Sequence, residues 1–174
     1  MRLDLNQIEN EQLVLQRYSD GVRLIKPENI SDDSHYAKNS LTQILKLPFN
    51  IYFLDRRSVV QLINEESAII CGFVSVKDAI GRTVKEVFQK QYATVAMVND
   101  QKVIQTKQLQ IFDESFTRLD DYTFSGIDIK FPWYQADRLI GIFGCSIVFG
   151  KRSIAETLQK ILQIGLVEIK TLMN

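Results

Sequence analysis

Residues 54–64 read Leu54-Asp55-Arg56-Arg57-Ser58-Val59-Val60-Gln61-Leu62-Ile63-Asn64, and the rest of the chain is framed by them. Just before them Phe49, Ile51 and Phe53 alternate with Asn50, Tyr52 and Leu54, the period-2 pattern of a strand with two different faces. Asp55-Arg56-Arg57-Ser58 is a polar turn, and residues 59–63 form a second β-rich run, so the stretch is a β-hairpin. Asn64 then stands where a helix N-cap belongs, with Glu65 and Glu66 at the positive end of the helix dipole. The short helix that follows runs to Ile70 and stops at Gly72.

Downstream, two more short helices announce themselves. Ser75 precedes Asp78 by three residues with Gly81 closing the turn, and Thr83 precedes Glu86 in a capping-box arrangement. A longer helix covers residues 89–103, with Tyr92, Val95, Ala96, Asn99 and Val103 on one face. Strand patterns return at residues 109–116, 122–133 and 139–149, the last two joined by a turn at 135–138. The last strand is apolar on both faces, which means both are covered. Residues 153–173 read as one helix opened by Ser153 and Glu156.

Upstream, Ile8, Leu13, Val14 and Leu15 have loosely helical spacing within residues 6–18, which Pro27 ends. Ser31-Asp32-Asp33-Ser34 offers N-caps for a helix through Leu45, closed by Pro48. The reading is thus a helical N-terminal extension (1–45), a central domain (46–150) and a C-terminal signalling or dimerisation helix (151–174). Strands separated by a run of helices indicate an α+β domain: a five-stranded antiparallel sheet with helices on one face. Residues 49–54 are expected to be its central strand, beside the last.

That order, with the residues quoted, resembles the PAS family. The 54–64 stretch resembles the opening PAS hairpin with its Asp and terminal Asn. Ala68 to Gly72 and Ile80-Gly81-Arg82-Thr83 look like its short helices with their glycines. Ile129-Lys130-Phe131-Pro132-Trp133-Tyr134, then Leu139-Ile140-Gly141-Ile142-Phe143-Gly144, resembles the last hairpin, K-x-P followed by I-x-G. The resemblance covers about residues 45–150. More loosely, the whole is similar to sensor regions ahead of bacterial LuxR-like transcription regulators, or those of sensor kinases and diguanylate cyclases.

Composition narrows the function classes. The 174 residues carry a formal net charge of zero, with 45% hydrophobic and 24% charged residues. No Lys/Arg cluster exceeds two, so direct nucleic-acid contact is not expected. No run of about 18 apolar residues exists and the N-terminus has no apolar signal core, so neither a membrane partner nor export is expected and the location is read as cytoplasmic. Cys71 and Cys145 sit in apolar surroundings and read as small buried hydrophobes. His35, the one histidine, falls in the polar N-terminal part and reads as a surface residue. Gly141-Ile142-Phe143-Gly144 spans a strand rather than a strand-to-helix turn, so a phosphate loop fails on context. Asp32-Asp33 and Asp120-Asp121 read as solvated loops. With no nucleophile–base or metal constellation, the chain is read as no enzyme, with no catalytic residue and no metal.

The resemblance implies further expectations. Haem-binding PAS domains use a histidine on the long helix, and residues 89–103 have none. Flavin photosensors of the LOV subgroup need a cysteine before that helix, and residues 81–88 have none. Neither haem nor covalent flavin is therefore expected, whereas an unidentified small organic ligand is. Its candidate pocket, between the inner sheet face and the long helix, takes Tyr92, Ala96, Asn99, Thr123, Ser125, Ile127, Trp133 and Phe143. Two readings stand: a ligand-responsive sensor relaying to an output domain, C-terminal to this chain or on another protein, and a ligand-free dimerisation module. In either case a homodimer is expected, with Leu158, Leu162, Ile169 and Leu172 on a coiled-coil-like seam and Gly165 in its gap.

Overall fold

A computed structural model describes residues 12–32, 35, 37–151 and 153–172. In chain order the elements are β1 (Val14–Tyr18), β2 (Gly21–Ile25), a 3₁₀ turn (Pro27–Asn29), β3 (Lys38–Ser40), α1 (Leu41–Leu45), β4 (Asn50–Asp55), β5 (Val60–Ile63), α2 (Glu65–Ile70) and α3 (Val76–Ala79). A second 3₁₀ turn (Val84–Glu86) leads to α4 (Lys90–Thr106), followed by β6 (Gln110–Thr117), β7 (Thr123–Gln135), β8 (Arg138–Val148), α5 (Ile154–Gln163) and α6 (Ile169–Leu172).

The expected five strands form the heart of one curled sheet in the order β6-β7-β8-β4-β5, antiparallel throughout. β4 pairs with β8 from Asn50↔Ser146 to Asp55↔Gly141, as the two-sided burial of the last strand requires, but β8 rather than β4 is the central strand of the five, because β4 has only β5 beyond it. Asp55 closes the β4–β5 turn by accepting from the backbone N–H groups of Arg57 (2.8 Å) and Val59 (3.0 Å). Asn64 caps α2, its Oδ1 accepting from Ser67 N and Ile51 N (3.0 Å each) while its Nδ2 donates to Phe49 O (2.8 Å). One buried side chain thus ties the helix start to β4, and its loss would leave several buried polar groups without partners.

The termini depart from the expectation. Instead of a helical N-terminal extension, β1 and β2 form a hairpin turned at Ser19-Asp20, and β3 adds to β1 with Leu15 opposite Asn39. The hairpin places Leu15 and Val22 in the core, both fully buried. The helix expected from Ser31 survives only as Leu41–Leu45, because the backbone of Lys38–Ser40 finds its partners in the β1 ladder. The part of the predicted 6–18 helix before Gln12 lies outside the described residues. β2 also joins β7 in parallel, at Val22↔Trp133 and Arg23↔Tyr134, giving eight strands in all among the described residues. At the other end the single predicted helix stops at Gln163. Gly165 turns the chain with φ +69°, a conformation that glycine adopts without a Cβ penalty, and Leu166 and Val167 fold back into the core.

These terminal segments cover the outer face of the sheet. Ile51, Phe53, Ile129, Phe131, Trp133, Phe143 and Ile147 from the strands meet Leu15, Val22, Leu41 and Ile44 from the N-terminal part. Ile161, Leu166 and Val167 from the C-terminal part close the same cluster. The rings of Phe53 and Trp133 pack edge to face at 5.0 Å, and those of Phe53 and Phe143 lie 4.9 Å apart. Each such buried side chain contributes about 1.5–3 kcal/mol. Asn39 Nδ2 donates to Ile164 O (2.9 Å), joining the two covering segments directly.

Candidate functional site

The opposite, inner face is built from the alternate residues of the same strands. Asn50, Tyr52 and Leu54 of β4, Asp128 and Lys130 of β7 and Ser146 of β8 point towards α4, as strand periodicity demands. Helix α4 lies over them with Ala93, Ala96, Asp100, Val103 and Ile104 buried. Between helix and sheet a cavity of about 90 Å³ remains. One end is walled by the rings of Phe88, Phe116 and Phe124, the first two stacked at 4.7 Å. The other end is polar.

At that polar end Lys130 sits among three carboxyl groups. Its Nζ reaches Asp100 Oδ1 at 2.8 Å, Glu114 Oε1 at 3.2 Å and Asp128 Oδ2 at 3.6 Å. Four neutral donors complete the cluster: Ser58 Oγ to Asp100 (2.6 Å), Tyr52 OH to Asp128 (2.6 Å), Ser146 Oγ to Asp128 (3.0 Å) and Asn99 Nδ2 to Glu114 (2.6 Å). Gly144 makes the Tyr52 contact possible, since a Cβ there would run into the Tyr52 ring. Glu114 Oε2 is buried and has no partner.

Burial alone would drive the proton off Lys130, but the charges of Asp100, Asp128 and Glu114 outweigh it and raise its pKa. Burial, reinforced by the Asp128 charge, pushes the Glu114 carboxyl up to about 8 against the pull of Lys130. The shift favours the protonated form of Glu114 near neutral pH. Burial and the same carboxylates raise the Tyr52 phenol. Cys71, which lines the cavity, has its thiol pushed up to about 12 by burial, so it presents a thiol rather than a nucleophilic thiolate. Among the described residues, no group of three His, Cys, Asp or Glu side chains is arranged to hold a metal ion.

Of the residues expected to line the pocket, Ala96 does. Asn99 borders the site through Glu114. Tyr92 is half-buried beside the aromatic end. The other five lie elsewhere: Trp133 and Phe143 are in the outer core with Ile127 packed against it, while Thr123 and Ser125 pair with Thr117 and Ser115 across the β6–β7 ladder. They are the odd-numbered residues of their strands, and the cavity takes the even ones. The α4 face was misread in the same way, because a pattern of apolar residues selects Val95, which is 51% exposed, and passes over the buried Asp100. The signal for the polar cluster was present in β7: Asp128 and Lys130 are opposite charges two apart, on one face of a strand covered on both sides.

Of the expected seam residues, Leu158 packs against the chain's own outer core and Leu162 is half-buried. The side chains of Ile169 and Leu172 lie outside the described residues.

A family model described as the PAS fold matches residues 46–143. The chain belongs to the PAS family. No curated protein matches the sequence. Among solved structures, this PAS domain is similar to a Vibrio cholerae VqmA–ligand–DNA complex (TM-score 0.57, 19% identity, 82% of this chain and 61% of that one). It is also similar to VqmA bound to DPO (0.56, 22%, 67% and 59%) and to a PAS domain from Colwellia psychrerythraea (0.53, 18%, 64% and 98%). At these identities the likeness is one of fold. The chain spans about three fifths of the length of those VqmA chains. Among the described residues no helix is long and apolar enough to cross a membrane.

Proposed function

We propose that this PAS domain is the sensory part of a cytoplasmic bacterial signalling protein and takes a small organic ligand into its inner-face cavity. The observation that carries the reading is the cavity itself, aromatic at one end and charged at the other, between the sheet and α4. A site that is mostly apolar with a few convergent polar groups is the usual form of a small-molecule pocket. VqmA, similar in fold, is described as bound to DPO and as a LuxR-type receptor, which supports ligand binding and a transcriptional output here. No haem, covalent flavin or catalytic step enters this reading. A ligand-free pairing module would need a core filled by its own side chains, which this cavity opposes.

The relay runs through β8. Ser146 holds Asp128 at the cavity, and a few residues on Gly150 leads into α5, which rests on the outer core through Ile161. Displacement of Asp128 by a ligand would thus be felt by α5, and from there by an output domain. VqmA is described as a dimer, which supports pairing of two copies here, and the seam on α5 is our reading of where they meet. Leu162→Glu is the clean probe of that seam: light scattering at tens of micromolar should show a dimer become a monomer, and a monomeric wild type would refute it.

Native mass spectrometry of the purified protein tests the central claim. A small bound mass, or one acquired from a metabolite extract, is expected. A protein that stays at its bare mass after exposure to the extract would overturn the sensor reading in favour of the pairing module.

A further inference from the structure

The charged end of the cavity has more acceptors than donors. Lys130 is committed to Asp100, Glu114 and Asp128, and the hydroxyls of Ser58, Tyr52 and Ser146 and the amide of Asn99 each already donate to one of those carboxyls. A carboxylate offers about four lone-pair sites. Asp100 and Glu114 each receive two of these contacts and Asp128 three, which leaves lone pairs free on Asp100 and Asp128, both of which line the cavity. Glu114 does not line the cavity, and its raised pKa makes it an O–H donor rather than a spare acceptor at neutral pH, so the free acceptor sites are those of Asp100 and Asp128. Asn50, on the same wall, can serve either a donor or an acceptor.

An anionic ligand entering here would face the carboxylates of Asp100 and Asp128, against which the neutral Asn50 amide is a weak offset, in a setting where like charges are poorly screened. A ligand with N–H groups would satisfy the spare lone pairs, and a cation would also offset the surplus of carboxylates over Lys130. The aromatic end asks for an apolar body. The cavity, at about 90 Å³, is well below the ~300–1,000 Å³ of pockets that take drug-sized ligands, so the body is small.

We infer that the ligand of this cavity is a small molecule with an apolar body and an N–H-donating, preferably cationic head, such as a short alkyl amine or a small N–H heterocycle, and that carboxylates and phosphates are rejected. This rests on the reading of the cavity as the ligand site, and the test separates the two. Isobutylamine, isobutanol and isobutyrate share a body and differ in the head. Each is titrated at pH 7 and equal ionic strength into the ¹⁵N-labelled domain, and shifts are followed at the amides of Ala96, Phe116 and Asp128.

Isobutylamine should bind at least ~10-fold more tightly than isobutyrate, a difference of about 1.4 kcal/mol, and several-fold more tightly than isobutanol. Asp128→Asn should bring the amine-to-alcohol ratio towards one; Asp100→Asn serves if that variant does not fold, and the wild-type series decides without either. If isobutanol binds but the amine gains nothing over it, or isobutyrate binds as tightly as the amine, the donor reading is overturned and the ligand site stands. If none of the three moves these amides, the cavity is not a ligand site and both readings fall.

Discussion

Strand β7 belongs to two environments at once. Its odd residues Ile129, Phe131 and Trp133 are locked into the outer core, while its even residues Asp128 and Lys130 hold the wall of the inner cavity. The outer face is dry and close-packed, so its value lies in volume and shape. The inner face retains empty space and a set of buried charges, which cost stability wherever they are not fully paired. One face therefore fixes the fold, and the other is left free for chemistry because the first is so well filled.

The largest test of that contrast is on the packing side. Phe53→Ala, at a fully buried outer position, should cost about 3–5 kcal/mol in urea denaturation. A loss near 1 kcal/mol would mean that the outer face does not carry the fold. The next concerns Glu114. Its folded-state pKa is raised above the ordinary 4.5 to about 8, so between those values the folded state holds a proton that the unfolded chain releases. Stability should then fall as pH rises from about 5 to 8, by at most about 1.4 kcal/mol per pH unit, and level off above. Glu114→Gln keeps the neutral form and should flatten this decline; an unchanged thermal-melt profile from pH 5 to 9 would contradict the assignment.

Smaller still is Gly165→Ala. A Cβ there would lie 3.0 Å from Ala37 Cβ at φ +69°, and a loss of about 1–2 kcal/mol by thermal unfolding is expected. The smallest stability effect belongs to the cavity. Ala96→Leu fills existing space, so it should change stability by less than about 1 kcal/mol while abolishing the isobutylamine shifts. An Ala96→Leu protein that binds as before would place the ligand elsewhere.

The hairpin at residues 54–64, the capped short helices and the three final strands were legible because each rests on local signals: an Asp in a turn, an Asn or Ser at an N-cap, alternation along a strand. The N-terminal hairpin was not, because Leu13, Val14 and Leu15 are contiguous and fit a helix as well as a strand until Val22 is known to pair across Ser19-Asp20. The site was half legible. Sequence placed it between sheet and long helix, but could not say which parity of β7 faces inward. Apolar residues drew attention to Trp133 and Phe143, whereas the polar groups lining the cavity are Asp128 and Lys130, which look like surface charges until their pairing is seen.

The outer face has one more consequence, for anyone who trims this protein. The stretch that matches the family, 46–143, ends inside β8 and omits Leu15, Val22, Leu41, Ile44, Ile161, Leu166 and Val167. An excised fragment with those ends would bare Phe53, Phe131 and Trp133 to water across several adjacent strands, the kind of surface that self-associates. The family match is shorter than the set of residues that closes the outer core.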